Sequence, residues 1–157
     1  MAKSKRSRIP YSERSDIQKI QSNWKKIRGL VNREEWSSAV VRAATATEIA
    51  ANFVVREELV ESRKLEKEFV DHLLKWANGL QGKFDKLILP ITKGEDYHKD
   101  FQKLKVRATE INNERNLVVH SGSFKTKSTA RRIIGEAREV ILGLIDALKN
   151  QLGCGLN

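Results

Sequence analysis

The sequence predicts an all-α protein, and three observations carry that expectation. Ala, Leu, Ile, Lys, Arg and Glu dominate, while the 157 residues include only two prolines, nine glycines and 6% aromatics, which favours helices over a strand-rich sandwich. Apolar residues recur at spacings of three and four through most of the chain. Short breaks rich in glycine, asparagine or serine separate these stretches. The length suits one domain with a real core, and the slightly low hydrophobic content of 39% is accounted for by a short solvated tail. The expected architecture is an antiparallel four-helix bundle with an additional N-terminal amphipathic helix outside it.

Residues 1–11, rich in Lys, Arg and Ser and ending at Ile9-Pro10, read as a disordered basic tail. In the segment 12–32, Ser12 and then Ser15-Asp16 offer N-cap chemistry for an amphipathic helix bearing Ile17, Ile20, Trp24, Ile27 and Val31. That helix packs on the bundle or on a partner. Residues 33–152 form the bundle and 153–157 a tail. The first bundle helix is expected from Arg33 or Glu34 to about Glu61, with acids in its first turn where the helix dipole favours them. Its stripe of Trp36, Ala39, Ala43, Ala46, Ala50 and Phe53 is mostly alanine, which lets neighbours approach closely and makes this the central helix. Glu48 is the only charged residue between Ala43 and Val55. If buried it needs a partner or a proton, and if exposed it needs neither.

A third helix is expected from about Ser62 to Asn78, with Leu65, Phe69, Leu73 and Trp76 inward. The apolar run Leu87 to Ile91 then plugs the bundle as a loop or single turn, since nothing nearby would pair with it as a strand. The fourth helix, from about Glu95 to Val118, carries Phe101, Leu104, Ala108 and Ile111 on a stripe that continues to Arg115 and Val118. A guanidinium therefore stands where the pattern asks for an apolar side chain. The last helix, from about Ser128 to Leu152, presents Ile133, Ala137, Val140, Ile141, Leu144 and Leu148 on one side.

Charge narrows the function. Of the net +10, residues 1–30 hold +7, with nine Lys or Arg against two acids. Lys3, Lys5, Arg6, Arg8, Lys25, Lys26 and Arg28 form the footprint expected of a protein that approaches RNA phosphates, although a solubilising tail has the same composition. The lone Cys154 excludes a disulfide framework within the chain and fits a reducing compartment. No apolar run is long enough to span a membrane, and the basic start leads into no apolar segment, so the expected location is cytoplasmic, without membrane partners. No HExxH, paired CxxC, Walker-type loop or GxGxxG occurs, so neither a metal nor another cofactor is expected.

The densest chemistry lies between Asn112 and Gly122. Asn112, Asn116 and His120 are four apart and share a helical face, with Arg115 beside them. Arg115 and His120 are five apart, about 140° around an ideal helix, and converge only if the helix unwinds near Val119 ahead of Ser121-Gly122. An imidazole exchanges protons near neutral pH, and a guanidinium grips phosphate at any pH. The pair would serve attack of a ribose 2′-OH on its own 3′-phosphate. His72 and His98 lack suitable neighbours and read as surface residues.

The segment Arg115-Asn116-Leu117-Val118-Val119-His120 resembles the motif of HEPN domains, an Arg and a His separated by four to six residues, with the polar Asn that often follows the Arg. Its place at the end of the third core helix resembles that family too, as does the alanine-rich helix bearing Glu48; the likeness spans about residues 33–152. The resemblance implies a homodimeric, metal-independent endoribonuclease of toxin or antiviral-defence type, with RNA as substrate and an antitoxin or defence protein as possible partner. It implies that Arg115 contacts the scissile phosphate, His120 acts as general base or acid and Asn116 orients either; Glu48 and Asn112 are supporting positions. Members paired with a nucleotidyltransferase antidote often carry Tyr two residues after the His, where this chain has Gly122, so modification there is not expected. The competing expectation is a non-catalytic module that binds RNA or a partner protein.

Overall fold

A computed structural model describes residues 8–152, and all regular structure in that range is helical. Lys3, Lys5, Arg6, Cys154 and the tail 153–157 lie outside the described residues.

The N-terminal segment is more structured than its composition implies. Tyr11–Glu13 forms a 3-10 turn, Arg14 Nε donates to the Ile9 carbonyl at 3.0 Å, and Asn23 Nδ2 donates to the Tyr11 hydroxyl at 3.0 Å. Helix α1, Asp16–Asn32, begins at Ser15, whose hydroxyl accepts from the Gln18 N–H while the Gln18 side chain accepts from the Ser15 N–H. Two end donors are satisfied by this reciprocal cap.

Helix α2, Trp36–Arg56, is the element the others pack against. Its buried residues include Ala39, Val40, Ala43, Ala46, Thr47, Ala50, Val54 and Val55, which cover more than one face, and small side chains admit α1 and the two C-terminal helices closely. The expected helix to Glu61 instead widens at Glu57 into a π-type turn through Ser62. The wider turn keeps consecutive residues Glu58 and Leu59 both inward, and the Glu58 carboxylate accepts from the Tyr97 hydroxyl at 2.7 Å.

The third helix corrects the sequence reading in both length and register. Helix α3 is Lys67–Trp76, and Leu65, Phe69 and Trp76, expected inward, are 39%, 52% and 60% exposed. Val70, Leu74 and Ala77 fill the core instead. Two apolar stripes lie one residue apart in this segment, and periodicity alone does not choose between them; the approach of α3 to α2 does. Beyond it the chain stays helical through α4, Gly79–Lys83, a π-type turn over Phe84–Ile88, and α5, Leu89–Ile91. Leu87 and Ile88 are buried, so the apolar run does plug the core.

Helix α6 spans His98–Ser121 and α7 Lys127–Leu152. They cross closely at Gly143, where a Cβ would stand 2.8 Å from Leu104 Cδ1. The Lys125 N–H donates to Ser37 Oγ at 2.8 Å and pins the connection between them to the start of α2. It follows that α6 runs against α2 and α7 along it, while α1, joined by a tight turn, also runs against α2. Helix α1 is therefore part of the core packing, with Ile20, Asn23 and Ile27 buried, and α3 is the peripheral helix. A groove of about 560 Å³ remains between α1 and α7.

Candidate nucleic-acid interface

The core-facing stripe of α6 follows the expected register. Phe101, Ala108 and Ile111 are buried, Leu104 and Val118 pack against the core, and Arg115 is half-buried on the same stripe. Its guanidinium donates to Asn116 Oδ1 at 3.0 Å. Several neighbouring cations meet a carboxylate: Lys105 meets Asp85 at 2.5 Å, Arg107 meets Glu136 at 2.9 Å, Lys125 meets Glu114 at 2.6 Å, and Arg132 meets Glu110. Arg115 meets none among the described residues.

The helix does not unwind at Val119. It continues to Ser121 and stops at Gly122, whose φ of 62° lies in the left-handed region that glycine adopts without strain. The N–H groups of Gly122 and Ser123 both point to the Leu117 carbonyl, the latter at 3.0 Å. With a terminal carbonyl satisfied, nothing drives fraying one turn earlier. Arg115 and His120 consequently stay about 140° apart around α6, and the convergence that unwinding would bring is absent within one chain. Asn112, Asn116 and His120 do share one face, and the bond to Asn116 draws the Arg115 guanidinium toward it. His120 is exposed and makes no hydrogen bond or ion pair among the described residues. Along the same stretch of the chain, Leu117, Val119 and Phe124 are 44%, 47% and 94% exposed.

Glu48 has a different partner from the one its supporting position implies. Its carboxylate accepts from Lys83 Nζ at 3.0 Å, and that nearly buried ammonium also donates to the Ala77 carbonyl at 3.3 Å. Among the described residues no hydrogen bond or ion pair links Glu48 to Arg115 or His120. His98 is not a free surface residue: its Nδ1 lies 3.1 Å from Thr92 Oγ1. His72 is exposed, as expected.

Part of the expected basic footprint comes together beside α1. Arg8, Lys25 and Lys26 line a cleft of about 920 Å³ with Tyr11, Arg14, Arg33 and Arg42, whereas Arg28 faces the groove between α1 and α7. Arg14 belongs to the basic count of residues 1–30, whereas the sequence does not single out Tyr11, Asn23, Arg33 or Arg42 as site residues. One signal was available for Asn23, which stands three residues after Ile20 and four before Ile27, at a core position of the α1 stripe. Its burial exceeds that of Trp24, the residue the stripe was read through.

Among the described residues no group of three or more His, Cys, Asp or Glu side chains is disposed to hold a metal ion, and no helix is long and apolar enough to cross a membrane. In comparisons with known proteins, no family model, no curated protein and no solved structure matches the chain.

Proposed function

We propose that the protein is an endoribonuclease that works without a metal and acts as a dimer through the C-terminal end of α6. The observation that carries this reading is Arg115, a half-buried guanidinium with no carboxylate partner among the described residues, tied to Asn116 on the face that also bears His120. A guanidinium in this setting favours an anion that brings negative charge with it, and a phosphodiester is one.

In the proposed reaction, His120 of one copy takes the proton of a ribose 2′-OH as its oxygen attacks the adjacent phosphorus. The bond from phosphorus to the 5′-oxygen breaks, and the leaving oxygen takes a proton from the second copy's imidazolium. The products are a 2′,3′-cyclic phosphate and a 5′-hydroxyl. Arg115 stabilises the charge that develops on the phosphoryl oxygens, and Asn116 holds Arg115 in place. The dimer belongs to the reading because the backbone of α6 sets Arg115 and His120 about 140° apart in one chain, and a second copy would bring a second imidazole to the phosphate. Phe124, 94% exposed just past the end of α6, supplies an apolar contact for the second copy at this end.

The test is incubation of RNA with the purified protein in excess chelator, beside His120→Ala and Arg115→Ala. Each variant is expected to lose about 100-fold or more in rate, in line with the loss of a general base or of an oxyanion donor. Equal cleavage by all three proteins overturns the reading.

The cationic cleft beside α1 favours a second reading, a module that binds RNA without cutting it. It expects binding that weakens steeply with salt and no product at any enzyme concentration. Deleting residues 1–30 is not a usable test of it, because the deletion removes Ile20 and Ile27 from the core.

A further inference from the structure

Arg8, Arg14, Lys25, Lys26, Arg33 and Arg42 line the cleft beside α1, and no Asp or Glu is among its lining residues. Only Arg33 of these meets a carboxylate among the described residues, that of Glu35 at 2.8 Å. Like charges gathered in one concavity repel each other, and a bound anion relieves that repulsion.

The cations are also positioned rather than loosely tethered. Asn23 is 1% exposed and occupies a core position of α1 where an apolar side chain would pack without a polar cost. Its amide nitrogen donates to the Tyr11 hydroxyl at 3.0 Å and to the Lys19 carbonyl at 2.8 Å, and its oxygen accepts from Arg42 at 3.2 Å. One buried residue thus ties together two residues of the cleft lining, Tyr11 from the N-terminal segment and Arg42 from α2. The Tyr11 ring in turn holds Arg14, Lys19 and Lys26 at 5.7 to 5.8 Å from its centre. Arg14 is further fixed by donating to Ser22 Oγ at 3.0 Å. Groups ordered before the ligand arrives lose less entropy on binding.

We propose that this cleft holds the sugar-phosphate backbone of single-stranded RNA, with Arg14 and Arg42 as its fixed phosphate contacts. This rests on the reading that the protein acts on RNA. The lining on α1 extends from Gln21 to Leu30, about 14 Å along the helix, which accommodates two or three consecutive phosphates. Guanidinium forks match phosphate oxygens in pairs. Leu30 is the one aliphatic side chain in the lining, so the cleft lacks the apolar anchors that an acidic peptide would use. With cations already over the Tyr11 ring, binding follows the backbone and is insensitive to base sequence.

The experiment uses the full chain and a fluorescent 2′-O-methyl oligonucleotide of about 20 nucleotides, which lacks the attacking hydroxyl, with anisotropy read over a salt series. The variant R14E/R42E is expected to bind at least about tenfold more weakly, with a salt slope smaller by about 1.4, the loss of two phosphate contacts on a single strand. K25E/K26E changes exposed lysines and is expected to weaken binding without disturbing the fold, which circular dichroism checks. K99E/K103E, on the exposed side of α6, controls for net charge. The proposal is overturned if both cleft variants bind as tightly as the wild type, or if K99E/K103E weakens binding equally. It is also overturned if poly-glutamate of similar length binds through the same residues as tightly as the RNA. If cleavage is absent from the wild type while the cleft variants lose binding, the ribonuclease reading falls and the cleft stands. If cleavage depends on His120 while the cleft variants bind normally, the cleft falls alone.

Discussion

Glu48 and Arg115 illustrate how the same kind of irregularity, a charge within an apolar pattern, resolves in opposite ways. Glu48 is spent on Lys83, whose side chain is only 6% exposed and depends on that carboxylate and on backbone carbonyls. Glu48→Gln leaves the ammonium without its counter-charge. Because the Glu48 side chain is itself 39% exposed, water screens part of the loss, and the expected destabilisation is about 1 to 2 kcal/mol. Urea unfolding measures that cost, and cleavage per folded molecule is expected to stay unchanged; a large fall in rate without loss of stability would return Glu48 to the chemistry. Arg115 has no carboxylate among the described residues, and its position on the stripe was legible from spacing alone. Which of the two charges the fold neutralises was not legible, because Lys83 is 35 residues from Glu48 in sequence.

At the scale of elements, the helices were foreseeable and their details less so. The alanine stripe of α2 and the stripes of α6 and α7 follow the sequence periodicity. The register of α3 and the π-type turn after Arg56 did not, since both answer to neighbouring elements. That turn carries a pH dependence. Burial raises the Glu57 pKa above its usual 4.5, and the nearby charges of Glu61 and Asp16 add to it. The folded state thus holds this proton to higher pH than the unfolded chain does. Stability from this group is therefore present in acid, falls as pH rises through the range above 4.5, and levels off once Glu57 is ionised in both states. Glu57→Gln removes that loss. Urea midpoints across pH are expected to show the variant more stable than wild type at neutral pH, with the two converging in acid; a constant offset at every pH would assign the effect to packing.

At the scale of the whole molecule, the proposed dimer makes a prediction of its own. Phe124 is 94% exposed at the connection after α6. Phe124→Ser is expected to shift sedimentation toward the monomer and to lower cleavage in parallel, with little change in unfolding. Unaltered sedimentation alongside full activity would place the second copy elsewhere. The distribution of charge is also a whole-molecule property. Pairs between α6, α7 and the π-type turn after α4 neutralise much of that side, while the cations of the cleft beside α1, Arg33 excepted, meet no carboxylate among the described residues. A net charge of +10 read from the sequence does not reveal that separation.

By itself the sequence determined the helical class, the central place of the alanine-rich helix and the register that carries Arg115, because these follow from local periodicity and side-chain size. It also marked the polar group from Asn112 to His120. Only the tertiary structure decided that α1 belongs to the core and α3 to its edge, that α6 continues intact past Val119, and that Asn23 couples Tyr11 to Arg42. Each of these depends on contacts between residues distant along the chain, or on the competition between a helix cap and an unwound end, and spacing along one strand of sequence does not encode either outcome.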